Sequence, residues 1–123
     1  MKKIVFVCLG NICRSPMAEF VMKSLTDQLK IESRATSSWE QGNPIHRGTQ
    51  AIFKKYAISY DRNKTSQQIS PADFADFDYV IGMDESNVRD LKRLAPEDFQ
   101  HKIYQFEEES VPDPWYTGDF DQT

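Results

Sequence analysis

Cysteine and histidine are scarce in this chain of 123 residues, which holds two of each. Cys8 and Cys13 lie in one short stretch, so they make no disulfide framework tying distant segments, and a reduced, cytoplasmic setting is expected. His46 and His101 stand in no Cys-His context, and metal-ligand spacing is absent, so neither a metal nor a cofactor is expected. No apolar run approaches the ~20 residues of a membrane span. Met1-Lys2-Lys3 before Ile4–Gly10 faintly resembles a signal peptide. The run is short, Asn11 and Arg14 interrupt its continuation, and no small-x-small cleavage site is present, so a strand explains it better. There is no excess of positive charge: a net charge of −4 and a pI near 5.1 argue against a general nucleic-acid binder. Repeats, low-complexity tracts and linkers are also missing, which leaves one domain with a modest single core.

The charge is uneven. Residues 1–56 hold nine Lys/Arg against four Asp/Glu, whereas residues 57–123 hold six against fifteen. Most of these acids read as a solvated surface, with a weak bias towards basic partners near the chain's acidic end.

The informative residues are concentrated near the start. Lys3-Ile4-Val5-Phe6-Val7 is a short, β-branched apolar run, read as a buried strand. Cys8 ends it, and Leu9, Gly10, Asn11, Ile12 and Cys13 lead to Arg14. Ser15 and Pro16 then read as N-cap and first residue of a helix. A loop between a strand end and a helix N-terminus gathers N–H groups and positive potential, which suits an anion. Such a pocket stabilises a thiolate, and a guanidinium grips two oxygens of a tetrahedral oxyanion. Cys8 is therefore the candidate nucleophile and phosphate the candidate electrophile. Ser15 is compatible both with a helix cap and with donation to the Cys8 sulfur.

Further along, residues 16–30 read as a helix with Met17, Val21, Leu25 and Leu29 on its core stripe. Residues 31–36 read as a second strand and 47–56 as a helix with Ala51, Ile52 and Lys55 to Tyr56 inward. Ser70-Pro71 marks a one-turn helix start, 78–83 a third strand, 85–94 a helix, and 102–106 a fourth strand. Strands alternating with helices predict a single-domain α/β fold, a four-stranded parallel sheet flanked by helices. Ligands of such sheets bind off the carboxyl ends of the strands, where Cys8 and Asp84 would both lie. No carboxylate lies in the loop to serve as a leaving-group acid. Asp113, bracketed by Pro112 and Pro114 and next to Trp115-Tyr116, is the best candidate. From spacing alone, a surface turn aspartate is an equal reading.

The run Cys8-Leu9-Gly10-Asn11-Ile12-Cys13-Arg14-Ser15-Pro16 closely resembles the signature of low-molecular-weight protein tyrosine phosphatases, placed at the chain's start as that family places it. Ala35–Glu40 with Gly42-Asn43-Pro44, Asp76–Asn87 and Asp113–Tyr116 match in the same order. The resemblance implies a phosphatase that hydrolyses phosphotyrosine or small aryl phosphates through a cysteinyl-phosphate. It implies Cys8 as nucleophile, residues 9–14 as the phosphate cradle, and Asp113 as the acid that protonates the phenolate and then activates water. Asn11 would hold the loop's tight turn, Ser15 orient the sulfur and Ser33 support Asn11. Trp39, Trp115 and Tyr116 would wall the aryl cleft. Tyrosine-phosphorylated proteins of a kinase circuit are the partners implied by analogy. Cys13 either packs in the loop or, as the family suggests, protects Cys8 through a reversible disulfide.

Three departures stand out. His46-Arg47 occupies the patch where the family often has an Asp before the Arg. Lys64 aligns with a family histidine near the loop's support. Family members continue into a final helix beyond the acid loop, whereas this sequence stops at Thr123; either the helix lies outside it or a sheet face is left uncovered and stability falls. Two rival functions share features of the loop. A thioredoxin-coupled arsenate reductase needs resolving cysteines far from the loop, which this chain does not have. A phosphocarrier domain lacks an Arg14-type clamp and an Asp113-type acid.

Overall fold

The computed structural model describes residues 2–106. Strand β1 (Lys2–Cys8) leads through the cysteine loop into helix α1 (Arg14–Leu25), then β2 (Leu29–Ala35), α2 (Arg47–Lys55) and α3 (Pro71–Asp76). Strand β3 (Tyr79–Gly82), α4 (Glu85–Leu94), a 3-10 turn (Glu97–Lys102) and β4 (Ile103–Gln105) complete them. The four described strands pair in parallel, in the order β2-β1-β3-β4, so the expected α/β architecture is present.

The side-chain alternation of β1 divides the core. Val5 and Val7 face one cluster with Phe74, Phe77, Val80 and Leu91, under α3 and α4. Phe6 and Cys8 face another with Ile31 and Met83, covered by Ala18 and Met22 of α1. A third cluster of Met17, Phe20, Ile45 and Phe53 joins α1 to α2. Helices therefore cover both faces, and the chain winds outward from β1 in two directions. The crevice where that direction reverses lies between the carboxyl ends of β1 and β3. Gly82 ends β3 there; a Cβ on it would sit 3.0 Å from the Val88 backbone nitrogen, so glycine admits the start of α4.

The helix expected over 16–30 is shorter. It starts at Arg14, with Cys13 at the N-cap, and stops at Leu25. Ser15 is therefore inside the first turn and is not the cap. At the other end Thr26 is extended (φ −155°, ψ 145°), and its hydroxyl accepts from Gln28 N–H at 3.1 Å. This local bond competes with helix continuation. Leu29 consequently belongs to β2, opposite Lys2, and Leu25 is exposed. In α2 the buried positions are Thr49 and Phe53, not Ala51 and Tyr56. By contrast, Ser70 and Asp73 form a reciprocal capping box around Pro71, as the Ser-Pro signal implies.

Candidate active site

Five of the six peptide carbonyls from Cys8 to Cys13 turn outward to a named donor. Cys8 O accepts from Thr36 N–H at 2.9 Å, and Leu9 O from Ser37 N–H at 3.2 Å and its hydroxyl at 2.8 Å. Gly10 O accepts from the Ser66 hydroxyl at 2.7 Å, Ile12 O from His46 N–H at 2.8 Å, and Cys13 O from Met17 N–H at 3.1 Å. In a trans peptide the N–H points opposite to the C=O. The N–H groups of residues 9, 10, 11, 13 and 14 are therefore turned to the inner side of the loop. A ring of inward N–H groups at a helix N-terminus is an anion nest.

Asn11 is the pivot of this loop. Its φ of +57° is left-handed, which Asn tolerates better than most residues. Its own N–H meets the Cys8 sulfur at 3.2 Å. Its side chain is buried and fully engaged: Nδ2 donates to Ser15 Oγ and to Ser33 Oγ, each at 2.9 Å, and Oδ1 accepts from Gln67 N–H at 3.1 Å. Ser15 Oγ lies 3.1 Å from Cys8 Sγ. Because that hydroxyl accepts from Asn11, its hydrogen is left for the sulfur or for the Arg34 carbonyl oxygen, 3.4 Å away.

At the loop's end Arg14 is buried, and its Nη1 meets Asp84 Oδ2 at 2.7 Å. The other oxygen of Asp84 accepts from Asn87 N–H at 2.8 Å, capping α4. One carboxylate thus starts a helix and aligns the guanidinium.

Behind Ser33 lies a charged cluster. The Ser33 hydroxyl donates to Glu19 Oε1 at 2.5 Å. Glu19 is 1 % exposed and is met by Lys64 Nζ at 3.3 Å and by Lys23 Nζ at 2.7 Å. Lys64 Nζ also donates to Ser33 O at 3.0 Å. Burial holds the Lys64 ammonium below the ordinary lysine range, opposed by the attraction of Glu19.

The structure thus brings Cys8, Asn11, Arg14, Ser15 and Ser33 together. Cys13 is buried like Cys8, and the two are not joined in a disulfide in the structure. Trp39 is exposed on the loop after β2. Asp113, Trp115 and Tyr116 lie outside the described residues. Sequence reasoning locates Asp84 but gives it no role, and it passes over Glu19, Ser37, Ser66 and Gln67. A polar Glu19 on an otherwise apolar helix face is the one readable signal.

Residues 3–123 match the family model described as low molecular weight phosphotyrosine protein phosphatase. A relative from Staphylococcus epidermidis, the low molecular weight protein-tyrosine-phosphatase PtpA, is 45 % identical, with 98 % of this chain and 83 % of that protein covered. The crystal structure of SP-PTP, a low molecular weight protein tyrosine phosphatase from Streptococcus pyogenes, is 61 % identical with a TM-score of 0.97, covering 99 % of this chain and 83 % of that one. The crystal structure of DARP, a Drosophila arginine phosphatase, is 31 % identical with a TM-score of 0.85, covering 99 % of this chain and 85 % of that one.

Proposed function

The chain belongs to the low molecular weight phosphotyrosine protein phosphatase family and is a protein-tyrosine phosphatase, and we propose that its chemistry runs through Cys8. The observation that carries this reading is the convergence of the Ser15 hydroxyl and the Asn11 N–H on the Cys8 sulfur, at the mouth of the inward-facing N–H ring. The thiolate is the attacking form, as for any cysteine nucleophile. Arg14, aligned by Asp84, takes the non-bridging phosphoryl oxygens with the amides of residues 9–14. Sulfur bonds to phosphorus as the P–O bond to the aryl group breaks. Asp113 gives its proton to the departing phenolate, then takes one from the water that hydrolyses the cysteinyl-phosphate. Ser15 steadies the sulfur as it leaves.

Substrates are tyrosine-phosphorylated proteins, with small aryl phosphates as surrogates; Trp39, Trp115 and Tyr116 wall the cleft that admits the ring. The setting in this reading is the reducing cytoplasm, and the targets are proteins of a tyrosine-kinase circuit. Among the described residues no helix is long and apolar enough to cross a membrane.

The test is turnover of a phosphotyrosyl peptide and of para-nitrophenyl phosphate, blocked by vanadate and abolished in Cys8→Ser. Asp113→Ala should lose most rate on poor leaving groups. Turnover that survives Cys8→Ser would end the reading. A phosphoarginyl peptide hydrolysed faster than the phosphotyrosyl one would reassign the substrate.

A further inference from the structure

Positive charge collects in one hollow outside the cysteine loop. Helix α2 and the 57–62 segment that follows it wall a groove of about 800 Å³, lined by Arg47, Lys54 and Arg62 and by no Asp or Glu. Among the described residues none of these three cations has an ion-pair partner. Three unneutralised cations in one groove hold a positive potential over it. An adjoining hollow shares Ala57, Ser59 and Tyr60 with this groove but differs in charge. Its cation, Lys23, is paired with Glu19, and Asp61 lines it as well. The free charge therefore belongs to one groove and not to the whole region.

The groove has a fixed shape and an apolar floor. Ile58 and Tyr60 pack on the cluster that holds Phe53, with the Tyr60 and Phe53 rings 5.0 Å apart. The Tyr60 hydroxyl donates to Gln50 Oε1 at 3.2 Å, and Gln50 Nε2 donates to Ile45 O at 2.6 Å, so the 57–62 wall is tied to α2. Ala57 turns the chain at φ +55°, and Ile58 N–H closes the helix on Phe53 O at 2.8 Å. A groove shaped in advance spares its occupant part of the ordering cost. Arg47 and Lys54 lie seven residues apart on one face of α2, about 10 Å along its axis. An extended peptide spans that distance in about three residues at ~3.3 Å each. Acidic side chains at that spacing meet both cations, an apolar residue between them covers Ala51 and Ile58, and Arg62 meets a further acid from the other wall. The groove also begins beside the cysteine loop: His46, the residue before Arg47, gives its N–H to Ile12 O at 2.8 Å.

We propose that this groove docks an acidic, extended segment of the phosphoprotein substrate, outside the residues that hold the phosphate. The inference rests on the reading that the substrates are tyrosine-phosphorylated proteins. It adds that part of the choice among them is made by charge on α2.

The experiment separates docking from turnover. A short, labelled, unphosphorylated peptide of Asp and Glu with interspersed Leu is titrated by fluorescence anisotropy. Arg47→Gln/Lys54→Gln/Arg62→Gln should weaken its binding ~3-fold to ~100-fold, the range for three exposed charge pairs together, and added salt should narrow the gap. Ala51→Glu, at an exposed position of the groove, should reproduce the loss. Lys2→Gln/Lys30→Gln/Lys92→Gln removes the same charge elsewhere and should leave binding nearly unchanged. On a phosphotyrosyl peptide carrying the acidic segment, the groove variant should raise KM and keep kcat, with para-nitrophenyl phosphate kinetics as in wild type. Equal losses in the two triple variants would reduce the effect to net charge and overturn the proposal. So would pyrophosphate displacing the peptide at equal concentration, or vesicles rich in an anionic lipid binding in a groove-dependent way while the peptide does not. If the peptide binds as expected while wild type hydrolyses no aryl phosphate, the reading of function fails and the groove stands as an acidic-peptide site.

Discussion

Asn11 allows the strain of the loop to be separated from its hydrogen bonds. In Asn11→Ala the side chain loses two buried bonds from Nδ2, and the Ser15 and Ser33 oxygens lose a donor. At ~1 kcal/mol per net bond, with more for groups left unpaired, this costs about 2–4 kcal/mol. The Gln67 N–H lies on an exposed segment, where water replaces the lost acceptor. Alanine at φ +57° adds about 1–2 kcal/mol for the left-handed backbone. The sum, about 3–6 kcal/mol, is a large part of the roughly 5–15 kcal/mol that holds a typical domain. Asn11→Gly loses the same hydrogen bonds but not the steric penalty, offset in part by the freedom of glycine in the unfolded chain. The net difference is about 0.5–1 kcal/mol in favour of glycine. At a urea slope of ~2 kcal/mol/M, this separates the two midpoints by ~0.3–0.5 M. Both variants should lose aryl phosphatase activity. Equal midpoints, or alanine above glycine, would mean that the +57° turn carries no cost, and the account of Asn11 as a residue chosen for its backbone would be wrong.

Three further outcomes rest on named contacts. Asp84→Asn keeps an oxygen for the Asn87 N–H but removes the charge beside buried Arg14; with Asp84 18 % exposed, the expected cost is about 1–3 kcal/mol in urea unfolding, and Asp84→Ala should cost ~1 kcal/mol more for the lost cap. Burial holds Lys64 below its unfolded value, so between the folded value and the ordinary ~10.4 the unfolded chain binds more protons, and the contribution of this group to stability rises with pH; urea midpoints followed as pH is raised towards ~10.4 should show that rise in wild type and not in Lys64→Met. If Cys13 protects Cys8, peroxide inactivation should reverse with thiol in wild type and become largely permanent in Cys13→Ser, whereas unchanged recovery would reduce Cys13 to a packing residue.

The fold is most legible where one local signal has no competitor. The β-branched run of β1, the Ser-Pro start of α3 and the Asp84-capped α4 each carry their boundary in adjacent residues. The end of α1 misleads because Leu29 continues a four-residue stripe by coincidence, while the stop signal is a threonine hydroxyl bonding two residues on. The inner face of α2 misleads because Thr49 is polar yet buried, one turn before Phe53, which packs with Met17 and Phe20 of α1. Within the site, Cys8, Asn11, Arg14 and Ser15 fall inside one short run and announce themselves. Asp84 meets Arg14 across 70 positions, and Ser66 meets Gly10 across 56. Other supports are main-chain N–H groups, from Thr36, His46 and Gln67, for which side-chain identity carries no signal.

That division explains how a short motif specifies so much chemistry. The motif supplies the reactive atoms, but the N–H ring depends on the carbonyls being drawn outward, and their partners come from four separate segments: the β2 exit, the α2 entry, the 66–67 strip and α1 itself. Those segments converge because β1 lies at the reversal point of the sheet, with β2 on one side and β3 on the other. A peptide of residues 8–16 would be free to turn its carbonyls either way. In the folded chain the turn is fixed before any phosphate arrives, so the oxyanion meets donors that need no reorganisation, which is where the largest share of transition-state stabilisation in such sites arises.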